Sequence, residues 1–533
     1  MHSVFDKFAQ RRTLISGLRL LWISLIFWYD YGIFRYRSGK CGWPLIDSDQ
    51  TPKHVLLVAD PQIIDHRSYP GRPASLTYIS QLIVDLNLRK NWRAALRSAP
   101  DVVFFLGDYM DSGRAVMSDS EYERYSQRFM NIFTMDSSIP RYFIPGNHDI
   151  GLGPSELFSP HARTRYTSHF GPLNSQISIA NHTFVLIDAP GLVEEDYRRH
   201  GLGKSYDKWK ALAGGTIDFV KSFAAKGHTR FCSVFPTSSE LLVDNTEPTI
   251  LFSHIPLSRP EGSNCGPARE RGTIRRGVGL GYQNTLGKDS TKFLLEHLKP
   301  ALIFSGDDHD YCEYTHTLGS HTGTSVREVT VKSLSMAMGV KKPGYQMLSI
   351  VPPGGLTSTL SDAPCLMPDQ LGIYLDVYIP LALASLALIL IACIIRGQHY
   401  RRCRWNFQYL SHTKQRSKDS TGSLQSKHVR RLTRSRIVID EYGFTLDDND
   451  MDQRLPPPAS ATVTAKKNAL PTILSQSRRL FCRLVSLQSL TKLVFANNRR
   501  GGFFREFLCD VRDVAIFPLG IIFLISLWTF LDF

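Results

Sequence analysis

Six short apolar runs between residues 54 and 310, each closing on a polar cluster, constrain this 533-residue chain more than any other feature. They read HVLLVAD (54 to 60), DVVFFLGD (101 to 108), RYFIPGNHD (141 to 149), HTFVLIDAP (182 to 190), PTILFSHIP (248 to 256) and PALIFSGDDHD (300 to 310). Runs of this length, rich in β-branched and aromatic residues and lacking polar alternation, are strands buried on both faces. Polar residues at their carboxyl ends are how a layered α/β fold brings side chains to one rim. The stretch Ile79 to Leu96, apolar at Leu82, Ile83, Leu86, Trp92, Ala95 and Leu96, reads as a connecting helix.

Singly, the polar clusters are weak signals, because Asp60 could cap a helix and Asp108 could sit in a turn. Their ordered series is specific: Asp60-Pro61-Gln62, Gly107-Asp108-Tyr109-Met110-Asp111, Gly146-Asn147-His148-Asp149, Ser253-His254 and Gly306-Asp307-Asp308-His309. The series resembles the calcineurin-like metallophosphoesterase superfamily, which implies a four-layer α/β/β/α sandwich with two metal ions at the strand ends. The resemblance covers about residues 54 to 350. With DPQ at 60 to 62, GDYMDSGR at 107 to 114, SGDDHDYC at 305 to 312 and flanking apolar segments, the chain looks like the fungal cell-division-control-type members. Their animal counterpart is the post-attachment ethanolamine-phosphate phosphodiesterase that remodels glycosylphosphatidylinositol (GPI) anchors.

The ligand chemistry has its own rationale. Two divalent ions about 3.5 to 4 Å apart can share a bridging carboxylate and clamp a phosphate during in-line displacement. The resemblance makes Asp108 the bridge, places Asp60, Gln62 and His309 at the first metal, and Asn147, His254 and Asp307 at the second. Gln62 stands where the superfamily usually has His, and Asp307 replaces the first His of the usual Gly-His-x-His. Both changes harden the donor set and argue for Mn²⁺. His148 is the expected catalytic group that protonates the leaving oxygen, with Asp111 accepting from its other ring nitrogen. Asp149, Asp308 and Asp310 are expected to form turns or accept hydrogen bonds behind the ligands. Arg114 and Arg259 either hold an anionic substrate or are solvated. The Gly-rich, basic segment 258 to 288 follows the His254 loop and is expected to shape substrate binding.

Two uncharged apolar runs have the roughly 18 to 20 residues that a membrane span needs. They are Val377 to Ile395 and Val514 to Leu531. Near the N-terminus Leu20 to Phe34 is shorter, carries Asp30, and follows Arg11, Arg12 and Arg19. No small-residue cleavage site follows it, so an uncleaved signal anchor is preferred over a cleaved signal. Residues 396 to 513 hold 23 Lys and Arg against 10 Asp and Glu, a surplus of 13 within the chain's net charge of +15. Basic flanks stay cytoplasmic. The expected order is a cytosolic N-terminus with signal anchor (1 to 35), a lumenal catalytic domain (36 to 372), a span (373 to 395), a cytosolic loop (396 to 513) and a span (514 to 533). Nucleic-acid binding would also account for a basic surplus, but no finger or interleaved aromatic platform accompanies it.

Within that loop, residues 411 to 430 and 455 to 465 read as disordered linker around an acidic patch at Asp447, Asp448, Asp450 and Asp452. Residues 478 to 498 have the spacing of a basic amphipathic helix, lying on the membrane or packed on a partner. Of nine cysteines, Cys41, Cys232, Cys265, Cys312 and Cys365 would be lumenal, allowing two disulfides of open connectivity. Asn181-His182-Thr183 is a lumenal glycosylation sequon.

The expectation is thus a membrane-anchored dinuclear phosphodiesterase of the endoplasmic reticulum or Golgi, acting on GPI lipid or GPI-anchored proteins. The alternatives are another lumenal phosphoesterase and a nonenzymatic adaptor built on the same domain.

Overall fold

In the computed structural model, residues 10–231, 247–318, 324–353, 358–416 and 502–531 are described. The expected disordered stretch 455 to 465, the acidic patch and the amphipathic helix 478 to 498 lie outside these residues, as does Cys232. The linker 411 to 430 is described only to residue 416, which ends the helix Ile379–Arg416.

All six apolar runs form strands, and they divide between two sheets. The five-stranded sheet runs Leu360–Leu366, Gly344–Ile350, Lys53–Val58, Val102–Phe105, Arg141–Phe143, the last three parallel. The six-stranded sheet runs Cys312–Leu318, Thr324–Thr330, Leu302–Ser305, Thr249–Ser253, His182–Ile187, Ser175–Ile179, with its middle four parallel. Strand side chains alternate with a period of two, and here both faces are apolar. Val55, Leu57, Phe104, Phe184, Ile250, Phe252, Leu302 and Phe304 share one buried cluster, the layer between the sheets. Their neighbours Leu56, Val58, Val103 and Phe105 face outward onto Leu88, Trp92, Phe129 and Tyr166 of the helices Ala74–Leu96, Asp119–Ile132 and Ala162–Phe170. On the other sheet Val185, Ile187, Leu251 and Ile303 do the same against Leu192, Val220 and Leu294 of three further helices. The result is the helix, sheet, sheet, helix order expected. The connecting helix begins five residues earlier than its apolar pattern, at Ala74.

Two disulfides form, Cys41 to Cys365 and Cys265 to Cys312. Cys41 and Cys365 are 324 residues apart in sequence.

Among the described residues two helical stretches, Gln370–Gln398 and Gly502–Leu531, are long and apolar enough to cross a membrane. The N-terminal apolar segment forms the helix Arg11–Phe27, a π-helical turn Trp28–Gly32 and the helix Ile33–Lys40. Asp30 in that turn is ion-paired to Lys90 at 2.6 Å and accepts from the Tyr378 hydroxyl at 2.6 Å. The chain divides into two units, Leu14–Ala387 with Asp513–Phe533, and Met1–Thr13 with Leu388–Arg512. In the second, buried Asp510 receives the guanidinium of Arg11 at 2.6 Å and that of Arg396.

Candidate metal centre

The parallel strands of both sheets end at one rim, so the loops after Val58, Phe105, Phe143, Ser253 and Ser305 meet there. Asp60, Gln62, Asp108, Asp307 and His309 all take positive φ, between 33° and 65°. For residues other than glycine this backbone is sparsely populated, and it turns the side chain back over the strand end. Glycines make room where the loops touch. A side chain at Gly107 (φ 94°) would overlap the His254 ring, and one at Gly146 would overlap the Asp108 carboxylate.

The loops bring two overlapping groups together. Ligand atoms of Asp60, Asp108 and His309 lie within 4.8 Å of one another, as do those of Asp108, His254 and Asp307. Asp108 belongs to both. Asn147 joins the second group, its Oδ1 lying 3.1 Å from His254 Nε2 while its Nδ2 donates to the Gly281 carbonyl at 2.8 Å. His254 Nδ1 donates to the Leu106 carbonyl at 2.7 Å, which leaves Nε2 facing Asp108 Oδ1 at 3.3 Å and Asp307 Oδ1 at 3.6 Å. A carbonyl behind the ring sets the tautomer a metal-binding imidazole needs.

Electrostatics favour a cation here. Burial pushes Asp60 well above its ordinary value, with Asp108 and Asp307 adding to the rise and His254 opposing it. Asp307 and Asp149 rise to about 7, through burial first and then against the charge of Asp108. Burial would raise Asp108 too, but His254 and His148 outweigh it and hold it below the carboxylate range. His254 is lifted well above its ordinary value by the carboxylates despite burial, whereas burial lowers His309 to about 4. Asp60 Oδ2 is buried and has no hydrogen-bond partner. An orphaned carboxylate oxygen inside a ring of oxygen and imidazole donors fits two hard or borderline divalent cations.

The remaining expected residues fall as follows. Gln62 lies at the site, but its Nε2 donates to Asp108 Oδ2 at 3.1 Å rather than presenting an oxygen. Beside a buried carboxylate the amide's donor end is favoured, so Gln62 orients the shared carboxylate. His148 sits at the rim, its backbone N–H donating to Asp108 Oδ1 at 2.9 Å. Its Nδ1 is nearest the Asp111 backbone carbonyl, at 2.6 Å, with the Asp111 carboxylate farther off at 3.4 Å. The expected partner is therefore the same residue through a different atom, because the GDYMD turn points that carbonyl at the ring. Arg114 is half-buried and bonds the carbonyls of Asn147 (3.1 Å) and Gly281 (2.8 Å). Arg259 is buried and ion-paired to Glu328 at 2.8 Å, so a solvated role does not describe it and its guanidinium is already engaged within the fold.

Asp149 accepts hydrogen bonds behind the ligands, as expected. Fully buried, its carboxylate accepts from the backbone N–H of Asp108 (2.8 Å), Tyr109 (2.9 Å) and Gly146 (2.9 Å), fastening two ligand loops together.

A family model, "Calcineurin-like phosphoesterase", matches residues 53–311. Cell division control protein 1 of Saccharomyces cerevisiae is 33% identical over 373 residues, covering 67% of this chain and 70% of that protein. A metallophosphoesterase 1 homolog of Drosophila melanogaster is 28% identical over 328 residues, covering 59% and 77%. Among solved structures the chain is similar to a dimetal phosphatase from Danio rerio, at 15% identity and a TM-score of 0.34 over 60% of this chain and 100% of that one.

Proposed function

Because the chain belongs to the calcineurin-like metallophosphoesterases and is a metal-dependent phosphoester hydrolase, we propose that it removes ethanolamine phosphate from a mannose of GPI-anchor glycans. The observation that carries the chemistry is the pair of ligand groups sharing Asp108. The fold implies two divalent ions, and the oxygen-rich donor set supports Mn²⁺ as their identity. Asp60, Asp108 and His309 would hold one, with Gln62 orienting the shared carboxylate, and Asp108, Asn147, His254 and Asp307 the other. When bound, such ions neutralise phosphate charge and activate water.

The chain's own groups supply the rest. With Nδ1–H donating to the Asp111 carbonyl, His148 keeps Nε2 for the proton that the leaving sugar oxygen needs. Asp149 holds the Asp108 and Asn147 loops at fixed separation, so the scissile phosphate meets a preset array rather than one assembled around it.

The lumenal reading is supported by two disulfides in the catalytic domain, which persist in oxidising compartments, and by the basic surplus of residues 396 to 513. Asn181 is exposed at the turn between Ser175–Ile179 and His182–Ile187, open to glycosylation. The GPI substrate is supported by the motif resemblance and by a membrane anchor that confines enzyme and lipid-linked substrate to two dimensions.

Mass spectrometry of anchor glycans from cells lacking the protein tests the proposal. Retained ethanolamine phosphate on a mannose is expected, and unchanged glycans would overturn the substrate. A glycan acceptor placed near residue 360 should be modified and one near residue 425 should not; the reverse pattern would invert the topology.

A further inference from the structure

The segment 258 to 288 is fastened at its base and open at its tip. Cys265 is disulfide-bonded to Cys312, and Arg269 pairs with Asp308 at 2.5 Å. Glu270 takes the Lys332 ammonium at 2.8 Å and the backbone N–H groups of Lys341 and Lys342. Ile274 is buried against the disulfide. Beyond it the chain forms a hairpin, Val278–Gly279 against Tyr282–Gln283. Its tip exposes Val278, Leu280 and Tyr282 to 65%, 64% and 46%, and Arg275 and Arg276, just before the hairpin in the chain, are exposed.

This tip touches the metal centre. The Gly281 carbonyl at its turn accepts from Asn147 Nδ2 and from Arg114 Nη1, each at 2.8 Å. Gly281 has φ +78°, and a Cβ there would stand 2.7 Å from the Phe158 ring. The turn is thus fitted against the ligand loop while its neighbours point into solvent. On the loops that abut it, Leu157 and Val116 are 68% and 59% exposed and paired through a backbone bond of 3.3 Å.

A contiguous apolar edge rimmed by cations marks an interaction surface. Its chemistry selects a lipid surface. Aliphatic tips enter the acyl boundary, a Tyr settles at headgroup level, and guanidinium groups pair with lipid phosphates. A glycan would be met by aromatic faces and amides, which Val278 and Leu280 do not offer. We propose that this hairpin inserts its tip into the membrane surface and, through Gly281, sets the metal centre at a fixed height above the headgroups. The inference rests on the reading of the chain as membrane-anchored and is independent of which phosphodiester is cleaved.

The test uses the full chain in phosphatidylcholine vesicles. In Leu280→Trp, the emission added to that of the seven native tryptophans should be quenched by brominated phosphatidylcholine. Leu280→Glu should raise KM about tenfold for a lipid-anchored p-nitrophenyl phosphodiester, with kcat/KM on soluble bis(p-nitrophenyl) phosphate unchanged. Unquenched added emission would overturn the proposal. So would a raised KM without quenching, which makes the tip a grip on the substrate's polar part, or an equal loss on both substrates, which makes it a support of the metal centre. If the wild-type chain hydrolysed neither substrate, the functional reading would fail while the quenching still decided the hairpin.

Discussion

Both sheets deliver ligands to the same rim, but they hold them by different means. On the five-stranded side one buried carboxylate, Asp149, gathers the backbone N–H groups of Asp108, Tyr109 and Gly146. These bonds lie within the ligand loops themselves. On the six-stranded side the Asp307 to His309 loop is held from outside. Asp308 pairs with Arg269, and Asp310 takes Lys332 and the N–H groups of Glu270 and Arg271, all but Lys332 belonging to the segment 258 to 288. The first side is preorganised by its own burial, and the second borrows rigidity from a neighbouring segment. Only Asp108 belongs to both ligand groups, so it is where the two halves stand or fall together.

Asp108→Ala should abolish turnover and empty both metal positions, measured by metal analysis of the purified chain beside activity. Two retained ions with substantial turnover would show that the halves do not depend on a shared carboxylate. His148→Ala should keep both ions and lose roughly 10² to 10⁴ in rate. Parallel loss of metal would make His148 a ligand instead.

Asp149→Asn keeps the volume but turns part of a pure acceptor into a donor facing backbone N–H groups, a mismatch of about 1–3 kcal/mol. It should lower the melting temperature and weaken metal retention, with the five-stranded half failing first. Arg269→Met probes the other half by leaving Asp308 unpaired. Limited proteolysis within 258 to 288 should accelerate, while activity on a soluble phosphodiester stays within about tenfold of wild type. If Arg269→Met emptied the metal positions as thoroughly as Asp108→Ala, the contrast between an internally and an externally held half would be lost.

Much of this was legible in the chain because the rim is written in consecutive residues. A strand buried on both faces must be continuously apolar, and its ligands must follow within a few positions. Val55 to Asp60 and Phe104 to Asp108 show this directly, and it is why six of the nine expected site residues, Asp60, Asp108, Asn147, His254, Asp307 and His309, meet at the rim as a ligand cluster, with Asp111 beside them against His148. Gln62 and His148 meet there too, one engaged through a different atom and one resting on a carbonyl instead of a carboxylate. Atom choices of this kind depend on loop dihedrals, which residue types do not specify.

What the sequence by itself determined was the period of burial and the order of the ligand loops, since both are local consequences of side-chain type along a strand. Only the tertiary structure decided which distant groups became neighbours. Cys41 reached Cys365 because the edge strand Leu360–Leu366 pairs with Gly344–Ile350, itself beside Lys53–Val58. Arg259 was taken up by Glu328, and Asp149 became the fastening of two loops, because a buried charge or acceptor takes the partner that the packed sheets place beside it, whatever its distance along the chain.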